Sequence, residues 1–273
     1  MNLLLAAVAV AAAVVVSVAL FLLVRRHAPE DGFFSDGDRA AGVFGVLATG
    51  FSVLLGFIVF LAFTSYDTAR SGARSEAVDV IQQFETAQLL PQPASAALSG
   101  QLVCYGRAVV GLEWPRLQAG EEPSFNPWGP RLFETVRGVV PRTPVEQAAY
   151  AKWLDQTPER EQARLDRVQA GNGIIPRPLW LLLFVTAALV FFYVFLFADP
   201  AERPLPQIVI ASTIAAMLVA SLLVIRFLDD PYRSGSGSLQ PTEMRRVLGQ
   251  IDEASRTLGL RVRPPCDAVG RPL

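Results

Sequence analysis

The sequence predicts an all-α membrane protein, with four transmembrane helices in two hairpins flanking a helical soluble insert. Three observations predict it. Four apolar runs are each long enough to cross a hydrocarbon core of ~30 Å. The stretches between and after them place apolar residues at helical spacing, and no alternating-strand pattern appears. The composition is 52% hydrophobic yet 18% charged, too apolar for an ordinary soluble domain and too charged for a membrane bundle alone.

Leu3 to Val24 is the first span. It carries no charge and is stopped by Arg25, Arg26 and His27. Its apolar run exceeds the ~7–15 residues of a signal peptide, so it is read as a retained helix. Ala40 to Ser65 is the second span. Leu179 to Ala198 is the third, opened by Pro178 in its first turn, where a missing N–H costs little. Trp180 stands where an interfacial aromatic anchor would. Leu205 to Leu228 is the fourth, with Arg226 near enough to its end to snorkel. These spans divide the chain into a first hairpin (1–65), a soluble region (66–177), a second hairpin (178–228) and a tail with a short helix (229–273).

An even number of spans puts the soluble region and the tail on one side. That side holds 12 basic residues in 66–177 and 7 after Arg226, against Arg25, Arg26, Arg39 and Arg203 opposite. The count favours cytoplasmic termini, although the Arg25-Arg26 pair pulls the other way. The net charge of -1 favours neither nucleic acid nor anionic lipid.

Within the insert, Tyr66, Ala69, Ala73, Ala77, Val80, Ile81, Phe84 and Ala87 form one buried stripe, with Arg70, Arg74, Glu76 and Asp79 mostly off it. Pro91 and Pro93 end it. The second transmembrane helix thus continues into the soluble part. If 43–90 is one helix it is about 70 Å long, rigidly coupling the membrane part to the soluble part. Further helices are expected at 94–113, 130–138 and 144–169, with a proline- and glycine-rich loop between the first two. Thr143, Pro144 and Glu146 carry a capping-box signature.

No motif for a catalytic nucleophile, a phosphate loop or a zinc protease occurs, so no enzyme and no cofactor are expected. His27 is the only histidine, and Cys104 and Cys266 lack metal-ligand spacing, which leaves no structural zinc site in one chain. Nothing in that spacing argues for a disulfide, and the expectation is two unpaired thiols.

The second span is the informative one. Gly42, Gly45, Thr49, Ser52 and Gly56 recur every three or four residues, and the face continues to Phe60 (or Val59) and Phe63. One reading is close helix packing through small residues. The other is a pore wall, with Phe60 and Phe63 as a constriction that gates by dewetting. Asp67, Arg70 and Arg74 follow at the membrane end. In a symmetric oligomer the arginines would ring the mouth and concentrate anions, with Asp67 and Glu76 offsetting part of the charge; surface ion pairs are the alternative.

The runs AFTSYDTARSGARSEAVDVIQQF, GLEWPRLQ and LDDPYRSGSGSLQPTEMRRVL together resemble the bestrophin-like family of bacterial membrane proteins over nearly the whole chain. The resemblance implies a relation to bestrophins, pentameric anion channels whose second membrane helix lines the pore and carries a hydrophobic neck. It implies a homo-oligomer in a lipid bilayer that passes anions such as chloride, with Phe60 and Phe63 near the neck. Asp229, Asp230, Pro231 and Tyr232 would form the turn that follows the last span in bestrophins. Where calcium-binding bestrophins continue with an acidic run, this chain reads RSGSGS, so no calcium clasp is expected. The consecutive neck pattern of bestrophins is not reproduced in GFIVFLAF. Two functions follow: an oligomeric anion channel, or a non-conducting scaffold that docks a partner through its soluble helices.

Overall fold

The computed structural model describes residues 3–30, 32–122, 125–169, 171 and 173–273. Its regular elements are helical: α1 (Leu3–His27), α2 (Gly37–Ala87), α3 (Ala94–Ala108), a π-helical turn (Val109–Glu113), α4 (Trp114–Ala119), α5 (Trp128–Arg137), α6 (Pro144–Gln169), α7 (Arg177–Leu196), α8 (Pro204–Asp229) and α9 (Thr242–Thr257). Among the described residues, α1, α2, α7 and α8 are long and apolar enough to cross a membrane. The chain forms two compact units. The first takes the chain up to Ser65 and Gly173–Asp229, and the second begins at Tyr66 and includes the tail from Ser238. Helix α2 contributes to both and runs 51 residues without a break, about 75 Å at the α-helical rise.

In the first unit, α1 lies along α8. Phe51, Leu55 and Ile58 of α2 pack with Leu183, Ala187 and Val190 of α7 and Leu218 and Ile225 of α8. A smaller cluster joins Phe21 of α1 to Val194, Ala198 and Ala211. One α2 face is therefore committed to its own chain and the opposite face is left uncovered.

In the second unit, Ala69, Ala77, Val80, Phe84 and Ala87 of α2 pack with α3, α5 and α9 around one core. Helix α6 crosses α2 at Gly72, where a Cβ would come within 2.7 Å of the Arg167 nitrogen; only glycine permits that approach. The capping box at α6 is formed, with the Glu146 N–H donating to Thr143 Oγ1 at 3.2 Å and the Thr143 N–H to Glu146 Oε2 at 3.3 Å.

Two expectations about this region are corrected. The stretch from Glu113 was expected to be loop, but α3 continues through the π turn into α4. Pro115 is taken up inside this continuous helical stretch, directly after the π turn. Trp114 anchors it: the ring is buried against Tyr232, and its indole N–H donates to the Leu239 carbonyl at 3.3 Å. Pro123 and Ser124 of the same stretch lie outside the described residues. Cys104 and Cys266 are not free thiols but are joined in a disulfide. They are 162 residues apart, so no local spacing signals the bond.

The disulfide fastens the tail across α3. The Gly270 backbone has φ +90°, and a Cβ there would sit 2.3 Å from the Ala108 nitrogen. The Gly270 carbonyl accepts from the Trp128 indole at 2.7 Å.

Candidate functional site

The sequence-predicted pore residues lie on the uncovered face of α2. Gly45, Thr49, Ser52 and Gly56 are exposed, and a Cβ at Gly42, Gly45 or Gly56 would meet nothing within 4 Å. The close packing that small residues permit is thus not made within the chain. Ser52 satisfies its hydroxyl on the Ala48 carbonyl at 2.8 Å. Phe60 and Phe63 are 65% and 54% exposed, while Ile58 and Ala62 on the adjoining face are fully buried. The helix period produces this segregation, since Phe60 and Phe63 extend the step of three and four set by Gly45, Thr49, Ser52 and Gly56.

In the second unit, Asp67, Arg70 and Arg74 come together in one polar cleft of 530 Å³, completed by Ser71 of α2 and by Glu243 and Arg246 of α9. A neighbouring cavity of 390 Å³ shares Arg70 and Glu243 and is lined by Tyr66, Trp114 and Met244 among others. Glu243 is taken by Arg246 at 2.6 Å. Glu76, expected to offset the arginines, is buried in the core instead. Three guanidinium groups therefore line the cleft against the carboxylates of Asp67 and Glu243, leaving it with a positive balance. Sequence reasoning missed the α9 contribution; TEMRRVL in the family-like run was its only signal.

The same unit holds a buried charge cluster that the sequence did not reveal. Arg167, Glu76 and Glu113 are essentially inaccessible to solvent. Arg167 donates to Glu76 through Nε and Nη2 and to Glu113 Oε2 at 2.7 Å, and its guanidinium lies 5.6 Å from the centre of the Trp114 ring. Tyr105 donates to Glu76 at 2.7 Å and Asn126 to Glu113 at 2.8 Å. Burial alone would lower the Arg167 pKa, but Glu76 and Glu113 more than offset it and hold the pKa well above its usual value. Burial, reinforced by Glu76, pushes the Tyr105 phenol well up, so it stays a donor. Arg160, two turns earlier on α6, donates to Gln83 at 2.7 Å and lies 4.9 Å from the Tyr105 ring centre.

Asp79 sits at the edge of this cluster. Its burial, followed by the nearby Glu159 carboxylate, raises its pKa above that of an ordinary aspartate. Folding therefore favours the protonated form, and that stability is lost as pH rises through the folded pKa. Asp79→Asn is expected to raise the thermal midpoint at neutral pH. The gain should shrink on acidification below pH ~4, where the wild-type carboxyl is itself protonated. Thermal unfolding at the two pH values checks it.

The residues of the turn after α8 are tied down within their own units. Asp229 Oδ1 accepts from the Ile174 and Ile175 N–H groups at 2.9 and 3.0 Å, and Oδ2 from the Trp180 indole at 3.3 Å. Trp180 thus has a bonding role beside its expected interfacial one. The Pro231 carbonyl accepts from Leu239 at 2.8 Å. Tyr232 is fully buried, donates to the Arg167 carbonyl and meets Trp114 edge-on. Among the described residues no cluster of potential metal ligands occurs.

This architecture has relatives. A bacterial bestrophin homologue from Klebsiella pneumoniae superimposes with a TM-score of 0.60 at 12% identity, covering 89% of this chain and 98% of that one. A single-substitution variant of the Klebsiella protein gives 0.65 at 11% identity, with the same coverage. A crystal structure described only as a membrane protein gives 0.64 at 11% identity, covering 89% and 97%. At such identities the likeness shows the fold. No curated protein matches the sequence. The Bestrophin-like domain matches residues 9–244, most of the chain, and the protein is accordingly a member of the bestrophin-like family of membrane proteins.

Proposed function

We propose that this protein is the subunit of a homo-oligomeric anion channel of the bacterial plasma membrane, a pentamer by analogy with bestrophins, conducting chloride. Helix α2 lines the pore through Gly45, Thr49, Ser52 and Gly56. Phe60 and Phe63 form the constriction, and Asp67, Arg70 and Arg74 form the mouth. The observation that carries the reading is the division of α2 into two faces. Phe51, Leu55 and Ile58 pack within the chain, whereas the small, hydroxylated and aromatic residues are left exposed along one line. Symmetric copies would turn such a line toward a common axis. Two rings of phenylalanine would then make a narrow apolar segment that excludes water when closed.

The test is halide efflux from liposomes carrying the purified oligomer, with empty liposomes as control. The wild type should release halide in a protein-dependent way, and Phe63→Ala should speed release several-fold by widening the constriction. Unchanged flux in Phe63→Ala removes Phe63 from the gate. A non-conducting scaffold predicts no release from either protein, and loss of the oligomer on Gly56→Leu.

A further inference from the structure

We propose that the second unit, with its arginine-lined cleft, lies on the oxidising, extracytoplasmic side of the membrane, and that the two short loops joining α1 to α2 and α7 to α8 are cytoplasmic. The proposal stands whether or not the chain conducts. Its first ground is the disulfide. Cys104 is fully buried in α3 and Cys266 is 6% exposed in the tail. They are the chain's only cysteines, and they are bonded to each other. Reducing cytosol keeps such pairs as thiols, whereas structural disulfides form and persist outside it. A catalytic redox pair needs an accessible thiol, which two buried sulfurs do not offer. The bond instead holds a built structure. The tail backbone approaches α3 so closely that a Cβ at Gly100 would sit 2.7 Å from the Arg263 carbonyl oxygen, and one at Gly111, in the π turn, 3.0 Å from Val269.

The second ground is the pair of arginines that follows the first span. Four spans place segments 66–172 and 230–273 on one side and the two short loops on the other. Positive charge orients a membrane protein through loops shorter than about 60 residues and within about 15–20 residues of the spans, because longer segments translocate largely regardless of charge. The insert exceeds that length, so of its 11 basic residues only those near the spans, such as Arg70 and Arg74, carry weight. The short loops and their flanks hold Arg25, Arg26, Arg39 and Arg203. The tail brings Arg233, Arg245 and Arg246 close behind α8. Counted near the spans, the side of the second unit holds Arg70, Arg74 and Arg177 as well as these three, so the totals do not carry the orientation; at α1 itself, Arg25 and Arg26 follow the span and no basic side chain precedes it, which agrees with the orientation that the disulfide requires. Ions or partners reaching the cleft would then come from outside the cytoplasm.

The experiment uses the full chain in spheroplasts, with its native disulfide and one added cysteine. Val140→Cys reports on the second unit, where Val140 is 71% exposed. Glu30→Cys reports on the loop after α1, where Glu30 is exposed. A membrane-impermeant maleimide should label Val140→Cys in sealed spheroplasts and Glu30→Cys only after permeabilisation. In parallel, the wild-type chain denatured without reductant should take up no maleimide, and two equivalents after reduction. Any other labelling pattern, or two free thiols in the wild-type chain, overturns the proposal.

Discussion

Arg167→Ala is expected to be the most damaging single substitution in the second unit, at about 3–5 kcal/mol, the usual cost of removing one partner from a buried ion pair. The mutant leaves Glu76 and Glu113 inside the core with no cation between them. Tyr105 and Asn126 each supply a hydrogen bond, but two neutral donors do not replace a guanidinium shared by two carboxylates. Trp114 also loses the charge above its ring. Arg167→Lys should recover only part of the loss, because a point-like ammonium cannot reproduce the fork that binds both oxygens of Glu76. The combination Arg167→Met, Glu76→Gln and Glu113→Gln should recover more, since it removes all three buried charges together. Denaturant unfolding of the solubilised protein, followed by tryptophan fluorescence from Trp114, Trp128 and Trp153, measures the series. A single mutant as stable as wild type would show that the cluster is solvated rather than buried.

Breaking the Cys104–Cys266 bond is the second large effect. Cys104→Ala with Cys266→Ala is expected to cost about 2–5 kcal/mol, as removal of native disulfides typically does. Removing the link frees the tail in the unfolded chain, and in the folded protein the strap is then held by weaker bonds. These include the Trp128 indole on the Gly270 carbonyl and Arg107 on the Asp267 carbonyl at 3.4 Å. The double mutant should therefore lose protection of residues 258–273 in limited proteolysis before the helices of the core become accessible. Treating the wild type with reductant in mild denaturant should reproduce the pattern. Equal protease resistance with and without the bond would mean that the glycine contacts alone hold the tail.

The contrast between these features shows what one sequence can reveal. The spans were legible because about twenty consecutive apolar residues suit little besides a bilayer, and α2 because its stripe crosses the membrane end without a proline. The long helix α6 was legible from its capping box. Its buried face was not. Ala149, Trp153, Gln156, Arg160, Ala163 and Arg167 follow each other at steps of three and four, yet half of them are polar and read as solvent-facing. The signal was present in the spacing and hidden by residue type, because a buried arginine becomes favourable only when carboxylates from other helices meet it. Glu76 and Glu113 do so from segments 91 and 54 residues away. The disulfide and the α9 side of the cleft were hidden for the same reason: both depend on tertiary contacts that no local pattern encodes.

Whether the α2 face and the arginine cleft serve anions is decided by the reversal potential of currents through the reconstituted oligomer in a potassium chloride gradient. An anion path predicts a reversal potential near the chloride equilibrium value in the wild type. It predicts a shift toward the potassium value when Arg70 and Arg74 are both changed to glutamate, because the mouth then holds negative charge. Currents that reverse near the potassium potential in the wild type, or no current from verified oligomers of both wild type and Phe63→Ala, would contradict it.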